Sequence, residues 1–344
     1  MRKVSNAEVS LEDILDYEKI RYKRKGYGLV FAVTITIIWF LVLPKLAYLV
    51  WPYKIENEGT FYSLFSYILH QSFFIFDNLV MVVIYKAELP FFERYKIHDK
   101  AWPWKEDPVA WNKLLKETIS LLFFNQVILM PCLFIPWYLT NSSPFRMDYE
   151  SLPSSFEVIW QTVFFMLVDD FMFYWMHRFL HGDRIYPYIH KVHHKYQNSI
   201  SISSEYAHPI EFLLVNAFTS NAGSMITGKK THYFTILMWY ILRTAETTDG
   251  HCGYEFSWSP YRLLPMSGSS EYHNYHHLSF KGNYSSWFTY MDRLCGTINV
   301  KYQEFVEKKR EYSNRVNTLG KTKESEVQKK NENDGNGNVK VKGE

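Results

Sequence analysis

The chain has 344 residues, 47% hydrophobic and 18% aromatic, with a net charge of +3. So small a charge excludes the electrostatics of a nucleic-acid binder, and three scattered cysteines exclude a disulfide framework or a CxxC metal site. Twenty-six Phe, 26 Tyr and 11 Trp suit lipid contact, and the mean hydropathy of -0.23 is held down by polar ends.

Residues 1–26 are polar, end in a basic cluster (Lys19, Arg21, Lys23, Arg24, Lys25) and show no cleaved signal peptide. An apolar run over 27–51 is long enough to span a bilayer, which needs roughly 20 residues. A second run, 61–85, is interrupted by His70, Gln71 and Asp77. A segment rich in Lys, Arg and Trp follows over 93–116. The third run is 119–139, with Pro131 and Pro136 as expected kinks. The fourth, 156–176, leads directly into His177. By the positive-inside rule the N-terminus and the 93–116 segment are cytosolic. Four spans then bring His177 out on the cytosolic side as well. Two shorter stretches, 210–227 and 233–244, read as a hairpin dipping into the interface. From about residue 303 the chain is charged and Asn/Gly-rich, the composition of a disordered tail. The expected fold is all-α: a polytopic membrane protein of about four spans with a cytosolic helical cap.

Eleven of the 13 histidines lie between His177 and His277. They fall as HxxxH (His177, His181), HxxHH (His190, His193, His194) and a second HxxHH (His273, His276, His277). Residues three and four apart share a helix face. Gly182 suits a helix end and Pro187 a helix start, so separate helices are expected. Neutral imidazole suits Fe, Zn, Cu or Ni. Eight histidines exceed one four-coordinate ion and point to two metals. His251 is the best single candidate for a further ligand, with His208 next and Glu205 close to it. Asp170 and Asp249 are candidates to orient a ligand imidazole. His70, His98 and His232 stand alone and read as ordinary residues. HExxH, GxGxxG and GxxxxGK[ST] are all absent. Reducing equivalents would therefore come from outside the chain.

The segments HRFLH, YIHKVHHKYQ, SEYAHPIE, ETTDGHCGY, EYHNYHH and GNYSSWFTYMDRLCGT resemble the fatty acid hydroxylase/sterol desaturase superfamily. Within it they are most similar to the 4-methylsterol monooxygenases (sterol C-4 methyl oxidases). The resemblance covers residues 156–300. It implies a non-haem diiron monooxygenase, an oxidoreductase of the endoplasmic reticulum membrane, with cytosolic histidine boxes. Such enzymes use O₂ and electrons from NADH through cytochrome b5 and its reductase. The implied iron ligands are His177, His181, His190, His193, His194, His251, His273, His276 and His277, and the implied substrate is the 4-methyl group of a sterol. Asn274 stands where Asp is usual, and Glu271 where a basic residue or His is common; neither change removes a ligand. The chain then divides into a polar N-terminus (1–26), a transmembrane region (27–155), a catalytic region (156–300) and a tail (301–344). Alternatives within the superfamily are a sterol desaturase, a sterol side-chain dealkylase or a fatty acid hydroxylase. The alternative from another class is a histidine-rich zinc-binding membrane protein or transporter.

Overall fold

The computed structural model describes residues 26–98, 100–307 and 311. Two compact units divide the chain: Gly28–Asn299, and a second drawn from the two ends, in which 300–307 are helical. Among the described residues there is no strand, only three isolated bridges. The main elements are α1 (Gly26–Tyr53), α2 (Glu58–Ala87), α3 (Pro108–Leu139) and α4 (Ser155–Leu180). They continue as α5 (209–227), α6 (Tyr233–His251), α7 (Ser270–Ser279) and α8 (Tyr290–Leu294).

Local chemistry sets the boundaries. The Asn57 side chain accepts from Thr60 N at the start of α2, and Asp107 accepts from Val109 N and Ala110 N at the start of α3. Ser154 caps α4 through Glu157 N. Proline lacks the N–H that a helix interior needs. Accordingly α3 widens into π-helical turns over Phe124–Leu129 before Pro131, and opens at 133–134 before Pro136. The regular α-helical pattern is thus interrupted ahead of both prolines.

Among the described residues, α1, α2 and α3 are the three helices long and apolar enough to cross a membrane. The fourth expected span, α4, has 26 residues, about 39 Å at 1.5 Å per residue, but it carries the buried Asp169 and Asp170. Gln161, Thr162, Asp169, Asp170 and His177 on the same helix are buried. Phe156, Trp160, Val163, Leu167, Phe171, Trp175 and Phe179 form an exposed apolar stripe along its whole length. That is the reverse of a water-soluble amphipathic helix.

The stretches 210–227 and 233–244 become α5 and α6, two helices joined by the short connection 228–232. α6 runs through the core, with Tyr233, Ile236 and Trp239 at 0% exposure. Its polar residues tolerate this because they pair: Arg243 Nε lies 2.8 Å from Asp169 Oδ2 and its other arm meets Glu246. α5 packs closely on α4 at Gly223, where a Cβ would lie 3.0 Å from the Phe165 Cα.

Contacts at the two ends fix the direction of each helix. At one end Trp51 Nε1 donates to Met147 O, Gly59 N donates to Asn141 Oδ1, and Arg146 N donates to Thr231 O. At the other, Tyr85 Oη donates to Cys252 O and accepts from Ser201 N. Ile97 N donates to Gly253 O there, and Lys195 pairs with Glu117. The 93–116 segment and the C-terminal ends of α4 and α6 therefore share one end, and that end carries the histidines.

Candidate metal centre

Three helices and one turn segment deliver the imidazoles. α4 carries His177 in its last turn and His181 at its C-cap; α6 ends in His251; α7 carries His273, His276 and His277. Gly182 follows the end of α4 as expected. Pro187 starts no helix: residues 182–192 are successive turns, and His193–Lys195 is a single 3-10 turn. The reason is directional, since His190 and His194 must face one way and His193 another.

The histidine nitrogens form two groups. His177, His181, His190, His194 and His276 make the first; His193, His251, His273 and His277 make the second. Within each, the offered nitrogens all lie within 4.8 Å of one another. In the first group the Nε2 atoms of His177 and His190 are 3.0 Å apart, His190 and His194 3.0 Å, His194 and His276 3.1 Å, and His181 and His276 3.2 Å. In the second, His193 and His251 are 3.3 Å apart, His251 and His273 2.9 Å, and His273 and His277 3.0 Å.

The opposite ring nitrogens show which tautomer is present. Nδ1 faces the carbonyl of Tyr284 in His177, of Tyr206 in His193, of Thr247 in His251 and of Gly282 in His276, at 2.8–3.1 Å. In His190 it faces Glu211 Oε1 at 2.8 Å. A carbonyl can only accept, so in His177, His193, His251 and His276 Nδ1 carries the proton and Nε2 presents a lone pair. Lone pairs about 3 Å apart repel unless a cation lies between them. With metal–nitrogen bonds of about 2.1 Å, neighbouring ligand atoms stand about 3.0 Å apart in an octahedron and about 3.4 Å in a tetrahedron. The observed separations fit that range. Burial pushes His193 down to about 4 and holds His190, His194, His273, His276 and His277 well below the ordinary imidazole range. The neutral form that metal ligation requires is the one the site favours.

The remaining sequence candidates lie outside both groups. His208 caps α5, accepting from Ile210 N. Asp170 Oδ1 accepts from Ser286 N and Phe288 N. Glu205 pairs with His70, and Asp249 with Arg262. Asn274 and Glu271 also stand outside. Two carboxylates escaped the sequence reading. Glu211 holds His190, and no spacing links positions 21 residues apart. Asp292 accepts from Tyr284 N, Ser285 N and Tyr272 Oη, fixing the segment whose Tyr284 carbonyl meets His177. Gly282, at φ +76, allows the turn that aims its carbonyl at His276.

Fold and site together define a helical bundle with an apolar outer surface and a buried nine-histidine centre at one end. The family model described as Fatty acid hydroxylase matches residues 162–297. "Very-long-chain aldehyde decarbonylase GL1-8" of Oryza sativa is 36% identical over 252 residues, covering 72% of this chain and 89% of that protein. "Methylsterol monooxygenase 2-2" of Arabidopsis thaliana is 34% identical, covering 72% and 90%. "C-4 methylsterol oxidase erg25" of Schizosaccharomyces pombe is 32% identical, covering 76% and 83%. No solved structure gives a significant match. The chain belongs to the fatty acid hydroxylase family, a family of oxidoreductases.

Proposed function

We propose that the protein is a membrane-bound diiron oxygenase that oxidises the 4-methyl group of a 4-methylsterol. It would take O₂ as co-substrate and electrons from NADH through cytochrome b5 and its reductase. The observation that carries this reading is the division of nine neutral imidazoles into two groups with ligand-like nitrogen separations. Two irons held there would supply an oxidant for an unactivated C–H bond, which side chains cannot provide.

The chain's own residues orient and shield that site. The Tyr284, Tyr206, Thr247 and Gly282 carbonyls and the Glu211 carboxylate hold the rings in the ligating tautomer. Burial keeps water away, since His177, His190, His276 and His277 are at most 2% exposed. We place the histidine end in the cytosol of the endoplasmic reticulum membrane. The basic 93–116 segment lies at the same end as the histidines, where a soluble electron donor can reach them. The catalytic region is taken as 156–300, which contains the family match.

The direct test is turnover of a sterol panel by microsomes containing the protein, with NADH and O₂. Oxidation of a 4,4-dimethylsterol at C-4, and accumulation of such sterols when the protein is lost, are expected. A second reading rests on the aldehyde decarbonylase relatives. Turnover of a long-chain aldehyde and of no sterol would replace the first reading with it.

A further inference from the structure

α2, α3, α5 and α6 enclose a cavity of about 310 Å³ that belongs to neither histidine group. Its mouth is apolar. Leu133, Phe218 and Met225 line it and are 41–51% exposed on the bundle's outer surface, beside the candidate span α3. Its inner wall is polar, formed by His70, Glu205 and Thr247 among others. His70 lies in the middle of α2, a candidate span, where a polar side chain is costly without a task.

Glu205 Oε2 accepts from the Gln126 amide, and Glu205 Oε1 faces His70 Nε2 at 3.1 Å. A carboxylate only accepts, so Nε2 of His70 carries the proton. In the neutral ring Nδ1 is then an acceptor, and it is buried without a hydrogen-bond partner. A buried acceptor in that state wants an N–H or O–H. The same wall also supports the second histidine group. Tyr206, next to Glu205, receives His193 Nδ1 at its carbonyl, and Thr247 receives His251 Nδ1.

We propose that this cavity admits a lipid alcohol sideways from the bilayer and that His70, backed by Glu205, accepts the hydroxyl hydrogen of that alcohol. The substrate class is thereby a hydroxyl-bearing lipid such as a sterol, in preference to an aldehyde, whose oxygen has no hydrogen to give. The proposal rests on the oxygenase reading only in taking the substrate to be a lipid.

The test is binding, which needs no turnover. Full-length protein in lipid nanodiscs is titrated with an intrinsically fluorescent sterol carrying a free 3-hydroxyl, and with its 3-O-methyl ether. The wild-type protein is expected to bind the alcohol on the order of 10- to 100-fold more tightly. In His70→Phe the alcohol should weaken to the level of the ether, with ether binding unchanged. No sterol binding, equal binding of the two ligands by wild type, or a preference that survives in His70→Phe would overturn the proposal. So would loss of both ligands together, which would mean only a collapsed wall, or stronger competition by a long-chain aldehyde. His194→Ala separates this proposal from the oxygenase reading, because it should lose oxidation and keep the hydroxyl preference.

Discussion

His193 and His194 are neighbours in the chain, yet their Nε2 atoms face different nitrogen groups. His194 Nε2 lies 3.0 Å from His190 Nε2 and 3.1 Å from His276 Nε2, whereas His193 Nε2 lies 3.3 Å from His251 Nε2. Their ring planes stand 79° apart. One backbone step thus divides its two side chains between two sites. His194→Ala and His276→Ala should each lose the iron of the first group and abolish sterol oxidation, by more than about 100-fold. The protein should stay inserted, because helix packing and the bilayer hold the apolar helices. Iron content and NADH-dependent oxidation at matched expression check this, and full activity in either variant would refute the assignment.

Outer carboxylates should grade the effect. Glu211→Gln removes the carboxyl partner of His190 Nδ1 and should cost about 10- to 100-fold in metal affinity or activity. Asp170→Asn keeps an oxygen for Ser286 N and Phe288 N, so it should cost less. Asp170→Ala leaves both N–H groups unsatisfied, at about 1–3 kcal/mol each. Chelator titration and thermal melts read these separately. Greater iron loss from Asp170→Asn than from Glu211→Gln would reverse the order.

His232 provides a contrast. It is fully buried, caps α6 through Phe234 N and packs 4.7 Å from the Trp51 ring. His232→Ala should cost about 1 kcal/mol as a lost cap, plus lost packing, and leave bound iron unchanged. Iron loss without a change in melting temperature would show that the site extends to His232.

The histidine spacings made most of the site legible. HxxxH and the two HxxHH runs contribute eight nitrogens to the two groups, and His251 contributes the ninth. Which histidine joins which group was not legible, because the split follows turn directions over 182–195 that no helical period encodes. Glu211 and Asp292 were missed because their partners are distant in sequence. His70 looked ordinary as a lone histidine, since its partner Glu205 lies 135 positions away. Helices α1 to α3 were readable from apolar runs, whereas the buried ion pairs of α6 lowered its hydropathy and hid a core helix. Asn141 and Asn283 each begin an N-x-[ST] sequence. Asn283 is buried and donates to Tyr272 O, so the folded site has no room for a glycan there.

Acid should weaken the centre. The folded-state pKa of His193 is pushed down to about 4 by burial, below the unfolded value of 6.5. Between these values the unfolded chain binds more protons, so stability rises with pH. The contribution is complete above about 6.5 and is lost as pH falls towards 4. Protonation also competes with metal for the same nitrogens. Metal release and unfolding of detergent-solubilised protein should therefore begin below about pH 6.5. Stability that increases from pH 7 to pH 5 would contradict the burial argument.

Metal analysis of purified full-length protein, paired with NADH- and O₂-dependent sterol turnover on the same sample, tests the central claim most directly. Two irons per chain with O₂-dependent oxidation of a 4-methylsterol is the result this account predicts. Zinc alone, with no turnover of any lipid, would contradict it and leave a histidine-rich zinc-binding membrane protein.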